Sequence, residues 1–218
     1  MFNCIKHKPK SKVIYSTPNK KSDIFIGLVI GHNENAQGAT NYLGESEWTF
    51  NKRIAHKLHI SLADEGIQSA ILFRPNSGGY THECNYTAKE LVRLGCKMSL
   101  HLHFNSAGPT ARGCEVLVLD TPEQEDNVLA DSISDILNEE YGIKERHDDG
   151  ILVINRSHNG YGMLHAAYSN GILPALVEPC FADHATSESV VIFEQEDLYV
   201  DALARAIKVA YDKSSSKL

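Results

Sequence analysis

From residue 23 onward, short apolar runs alternate with stretches of helical period. Ile24–Ile30 is apolar at every position but Gly27 and predicts a buried strand. Residues 46–65 place Ile54, Ala55, Leu58 and Leu62 on one stripe, with Gly66 where a helix-terminating glycine belongs, so a helix is expected. Ala70–Phe73 predicts a second strand, closed by Arg74-Pro75. Residues 83–94 predict a helix ending near Gly95, followed by strands at Met98–Phe104 and Cys114–Leu119. Thr121-Pro122-Glu123-Gln124 has the pattern of a capping box with proline at the first helical position. The helix it opens should carry Leu129, Ile133, Ile136 and Leu137 and stop at Gly142. Ile151–Ile154 and Leu173–Val177 are short strand candidates. The last helix has the clearest period, with Tyr199, Ala202, Leu203, Ala206, Ile207 and Ala210 on one face.

Strands alternating with helices imply an α/β domain with a mostly parallel sheet. The strands are apolar on both faces, so helices should cover both sides. In such sheets ligands bind beyond the carboxyl ends of the strands. Three of those ends carry polar or metal-binding side chains: Gly31-His32-Asn33, His101-Leu102-His103-Phe104-Asn105 and Glu178-Pro179-Cys180. A fourth group comes from the first long helix. Helical steps from Glu47 and Asn51 lead to Ile54, Ala55 and Leu58, so Glu47 starts the inward stripe. A carboxylate there is costly to bury unless it is paired or bound to a cation, and the helix N-terminus lowers that cost.

His32, Glu47 and His103 form a two-imidazole, one-carboxylate set, a known pattern for catalytic zinc with a fourth position left to water. Imidazole with carboxylate suits zinc better than magnesium or calcium. Glu178 is placed to take a proton from water and pass it to a leaving amine. The residues alone thus point to metal-assisted hydrolysis of an amide or ester. His101 shares a strand face with His103 and reads as a core residue or a support around the site, with a competing ligand as the alternative; His103, closer to the strand's end, is favoured.

The 218 residues carry 21 basic and 28 acidic side chains, a formal charge of −7. This disfavours sequence-independent nucleic-acid binding, which needs a basic face. Residues 1–22 hold six lysines and no acid, and read as a basic, flexible tail ahead of a body spanning 23–213; residues 214–218 read as a frayed end. The longest apolar run is too short for a bilayer, so no membrane insertion is expected. No apolar stretch follows the N-terminal lysines, so no secretory signal is expected either. Five cysteines, odd in number and widely spread, suit reduced thiols in a cytoplasmic product. The oligomeric state is left open.

Five segments in order resemble the zinc-dependent N-acetylmuramoyl-L-alanine amidases, the peptidoglycan-cleaving family that includes many phage endolysins. They are Leu28-Val29-Ile30-Gly31-His32, Gly44-Glu45-Ser46-Glu47-Trp48-Thr49-Phe50-Asn51, His101-Leu102-His103-Phe104-Asn105, Gly113-Cys114-Glu115-Val116 and Leu176-Val177-Glu178-Pro179-Cys180-Phe181. The resemblance implies a three-layer α/β/α sandwich around a mixed, mainly parallel sheet. It implies one Zn²⁺ on His32, Glu47 and His103, with Glu178 as the catalytic carboxylate. The bond cut would join the lactyl group of muramic acid to L-alanine of the stem peptide. An endolysin-like product would remain in the cytoplasm after synthesis and reach the wall once the membrane is opened. Asn33 stands where the family often has glycine and is expected to meet substrate, as is Asn105. Arg156, in Asn155-Arg156-Ser157-His158-Asn159-Gly160, is expected to meet a stem-peptide carboxylate, because a guanidinium suits bidentate recognition. Glu115 leads into a strand and reads as structural. Two rivals remain at this level: the same scaffold cutting a small N-acyl amino acid, and a non-catalytic module that binds wall fragments.

Overall fold

The computed structural model describes residues 13–15, 25–108, 110–124 and 127–215. Among the described residues seven strands form one sheet: β1 (Val13–Tyr15), β2 (Ile26–Ile30), β3 (Ser69–Leu72), β4 (Met98–Leu102), β5 (Glu115–Leu119), β6 (Ile151–Ile154) and β7 (Leu173–Glu178). Their spatial order is β1-β3-β2-β4-β7-β5-β6. Strands β3, β2, β4 and β7 run parallel to their neighbours within that block. The β5–β6 pair, parallel within itself, meets β7 antiparallel, and β1 meets β3 antiparallel. The sheet is therefore mixed and mainly parallel. β1 lies inside the segment read from sequence as a tail; the rest of residues 1–22, and residues 216–218 of the expected frayed end, fall outside the described residues.

The described helices that cover the sheet are α1 (Glu47–Asp64), α2 (Gly79–Leu94), α3 (Val128–Glu139), α4 (Tyr161–Tyr168), α5 (Ser187–Glu194) and α6 (Glu196–Ser215). The alternation of side chains along each strand sets the layers. Ile26, Leu28 and Ile30 face the main core with Phe50, Ile54 and Leu58 of α1, Leu129 and Ile133 of α3, and Tyr199, Leu203 and Ile207 of α6. Val29 and Leu72 face the other way, against Leu91 and Leu94 of α2 and Ala167 of α4. Leu117, Leu119 and Leu176 extend that second layer onto Leu164 of α4. Among the described residues no helix is long and apolar enough to cross a membrane.

Four elements depart from the expected pattern. The segment at Pro122–Gln124 makes only a short 3₁₀ turn. Helix α3 starts afresh at Asn127, whose side chain accepts from the Ala130 amide, and it ends at Glu139 rather than at Gly142. Asn127 is buried and its amide donates to the Pro174 carbonyl, so the cap is anchored by the sheet, a tertiary contact with no local signature. The eight-residue helices α4 and α5 are too short for a clear period and were not expected.

Candidate active site

The register of β2, β4 and β7 builds the site. Ile30 pairs with Leu102, and Leu102 with Val177, so three neighbouring parallel strands end at one level. The ladder continues one step, through Gly31 N–H to the Leu102 carbonyl (2.9 Å) and His103 N–H to the Val177 carbonyl (3.1 Å). His32, His103 and Glu178 therefore emerge side by side. Glu47 arrives from α1, whose first turn is fixed by Ser46: its hydroxyl accepts from the Thr49 amide at 3.3 Å.

Glu47 is 2% exposed and lies between the two histidines. Its Oε1 is 2.8 Å from His103 Nδ1 and its Oε2 is 3.0 Å from His32 Nε2. The Phe104 amide donates to Oε1 at 3.1 Å and the Ala39 amide to Oε2 at 3.3 Å. Burial alone would raise the Glu47 pKa; hydrogen bonds from His103 and His32 outweigh it and bring the carboxyl down to about 2. One ligand atom from each of His32, Glu47 and His103 lies within 4.8 Å of the others. Two imidazole nitrogens and a carboxylate held by backbone amides converge on one point, and a cation that displaced the imidazole protons would meet three ligand atoms, so the donor set fits zinc.

The loop between the ligands is shaped for this convergence. His32 adopts a left-handed backbone (φ 62°), uncommon for a residue other than glycine. Gly38 also has positive φ (79°), and a Cβ there would lie 2.5 Å from Glu47 Oε2 and 2.6 Å from His32 Cδ2. A side chain at Gly31 would strike the Leu102 carbonyl and the His103 ring. Gly31 belongs to the Gly-His segment noted in the sequence, but the steric reason for glycine at either position is visible only in the fold.

Glu178 is the partnerless member of the group. Its Oε2 is buried with no hydrogen-bond partner, and no cation pairs with it among the described residues. Burial, then the nearby charges of Glu47 and Glu115, push its pKa well above the usual carboxylate range. Glu115 is directly opposite it in the β5–β7 ladder. That carboxylate was read as structural, yet it lines the same cleft. Finding it required the antiparallel register, since 63 residues separate the pair along the chain.

The other expected residues divide. Asn105, Arg156 and His158 line a cleft of about 950 Å³ that runs from the metal-competent cluster over Leu117, Leu152 and Leu176. Arg74, Tyr80, Tyr161 and Met163 complete its walls and were not anticipated from sequence. Asn33 is held within its own loop. Its Oδ1 accepts from the amides of Asn35 (3.0 Å) and Ala36 (2.9 Å), and its Nδ2 donates to Glu83 (3.2 Å). The residue is 6% exposed, and its side chain stitches the loop. His101 stays outside the ligand cluster. It is buried beside Ser99, 3.1 Å away, and burial, followed by the charges of His103 and Arg74, lowers its pKa to about 3.

Residues 26–210 match the family profile of N-acetylmuramoyl-L-alanine amidase. The chain belongs to this family. It is therefore an amide hydrolase of peptidoglycan. Among solved structures it is similar to the N-acetylmuramyl-L-alanine amidase Ami1 of Mycobacterium smegmatis (TM-score 0.67, 20% identity, 86% of this chain and 97% of that one). The N-acetylmuramoyl-L-alanine amidase of Clostridium difficile 630 is similar at TM-score 0.70 and 18% identity, covering 88% of this chain and 98% of its own. The catalytic domain of an endolysin targeting Clostridia difficile matches at TM-score 0.63 and 20% identity, covering 84% and 94%. At these identities the likenesses show the fold of the amidase: an α/β sandwich around a mixed, mostly parallel sheet. No curated protein sequence matches the chain.

Proposed function

We propose that this amidase is zinc-dependent and hydrolyses the amide between the lactyl group of muramic acid and L-alanine of the stem peptide, in an endolysin-type lytic role. One observation carries the reading: three metal-ligating side chains converge at neighbouring strand ends beside Glu178, a carboxylate with no partner of its own.

His32, Glu47 and His103 would hold the ion, with the Ala39 and Phe104 amides fixing the carboxylate. Bound there, zinc supplies Lewis acidity to the scissile carbonyl and lowers the pKa of water. Glu178 orients the attacking water, accepts its proton and delivers it to the departing L-alanine nitrogen. Its raised affinity for a proton suits the second half of that task, because a carboxyl that favours its neutral form holds the proton through the step. Arg156 and Asn105 both line the cleft, and in this reading Arg156 meets a stem-peptide carboxylate and Asn105 a polar group of the substrate. The endolysin role is supported by the likeness to an endolysin catalytic domain.

Metal analysis and a muropeptide-release assay test the assignment together. His32→Ala is expected to lose zinc. Glu178→Gln is expected to keep zinc and lose turnover by about 10²- to 10⁴-fold, the range ascribed to a positioned acid–base group. Full turnover in Glu178→Gln would remove that residue from the chemistry. A zinc-loaded enzyme that leaves isolated cell wall intact but cleaves small N-acyl amino acids would redirect the substrate assignment.

A further inference from the structure

The Glu115 carboxylate is held more firmly than a sheet requires. The rest of β5 is Val116, Leu117, Val118 and Leu119, all buried, and an apolar residue would serve the ladder at position 115. Instead Oε1 accepts from Asn105 Nδ2 at 2.7 Å, and Oε2 accepts from Arg146 Nε at 2.9 Å and lies 2.8 Å from His147 Nε2. The loop that brings Arg146 and His147 there is strained, with His147 at φ 59° and Asp149 at φ 57°.

This arrangement decides which way the Asn105 amide points. An ionised carboxylate can only accept hydrogen bonds, so the NH₂ group must face Glu115 and the carbonyl oxygen must face away. The Asn105 backbone is pinned as well: its amide donates to the Cys180 carbonyl (3.0 Å) and its carbonyl accepts from the Ala182 amide (2.9 Å). Asn105 lines the cleft, and its Oδ1 accepts no hydrogen bond from the described residues.

The sheet order assigns the half of the substrate that meets this acceptor. Metal ligands follow β2 and β4, Glu178 ends β7 and Glu115 begins β5. A proton passed from Glu178 reaches the leaving amine on the β7 side, so the departing stem peptide extends toward β5. Its backbone offers N–H donors. We propose that Glu115 is a positioning residue that turns Asn105 so that its carbonyl oxygen accepts a backbone N–H of the stem peptide. This rests on the amidase reading above. The pair thereby selects peptide amides over esters or N-alkylated chains.

The test uses zinc-loaded enzyme, a soluble muramoyl peptide, and two analogues singly N-methylated at the first or second peptide nitrogen after the scissile amide. Wild type is expected to lose roughly 10- to 100-fold in kcat/KM on one analogue, the cost of leaving a desolvated acceptor unpaired. Asn105→Ala should lose a similar factor on the parent and no longer distinguish that analogue. Glu115→Gln should narrow the discrimination, because a neutral amide can donate as well as accept and lets Asn105 turn either way. A ratio of two substrates is insensitive to the folded fraction, so a purely structural Glu115 would leave it unchanged. Equal discrimination by wild type and Asn105→Ala, or none by wild type, overturns the proposal. No cleavage of the parent peptide by wild type defeats the amidase reading itself, and the positioning role with it.

Discussion

At Gly38 a single added methyl group would meet Glu47 and His32, both candidate metal ligands. Its positive φ and the 2.5 Å approach to Glu47 Oε2 leave no room for a side chain. Gly38→Ala is expected to weaken zinc affinity at least tenfold while the protein stays folded, read by metal titration beside a thermal melt. Unchanged affinity would show that the loop yields easily. Glu178 illustrates the opposite case, a residue that costs stability where it stands. Its folded pKa lies above its unfolded value, so the fold loses stability as pH rises past the usual carboxylate range of about 4. In chelator-treated protein, Glu178→Gln should therefore melt above wild type at pH 8, and the gap should shrink toward pH 4. A variant that melts lower at pH 8 would contradict the buried, unpaired state.

Glu115 has the reverse sign, and its behaviour belongs to the element that carries it. Burial alone would raise its pKa, but hydrogen bonds from Asn105, Arg146 and His147 lower it. It therefore stabilises the β5–β7 junction above the ordinary carboxylate range, and that contribution is lost as pH falls through the lowered pKa. Urea unfolding of wild type should weaken between roughly pH 5 and pH 3, and Glu115→Gln should show a shallower slope across that interval. At the other end of the site, Ser46 caps α1 and sets the angle at which Glu47 enters. Ser46→Ala should cost about 1 kcal/mol in unfolding free energy. Of the two acids, helical steps alone pointed Glu47 inward, whereas Glu115 could be placed in the cleft only once β5 was known to run against β7.

For the whole molecule, the three candidate metal ligands join β2, α1 and β4, elements spread over 72 residues of chain. A metal shared among them would bind the folded state and not the unfolded one. Free zinc at a thousand times its dissociation constant should add about 4 kcal/mol of stability, and a chelator should lower the melting temperature correspondingly. A melt indifferent to zinc would count against the site. The sequence by itself determined the α/β class, the main strands and the long helices α1 and α6, because their hydrophobic periods are long enough to read locally. It also determined that His32, His103 and Glu178 follow apolar strands. Tertiary structure decided which of these meet. The order β2-β4-β7 put three strand ends together, the antiparallel turn of β5 brought Glu115 opposite Glu178, and hydrogen bonding withdrew Asn33 into its loop. Those outcomes depend on pairings between residues far apart in the chain, and a local pattern carries no information about its partner.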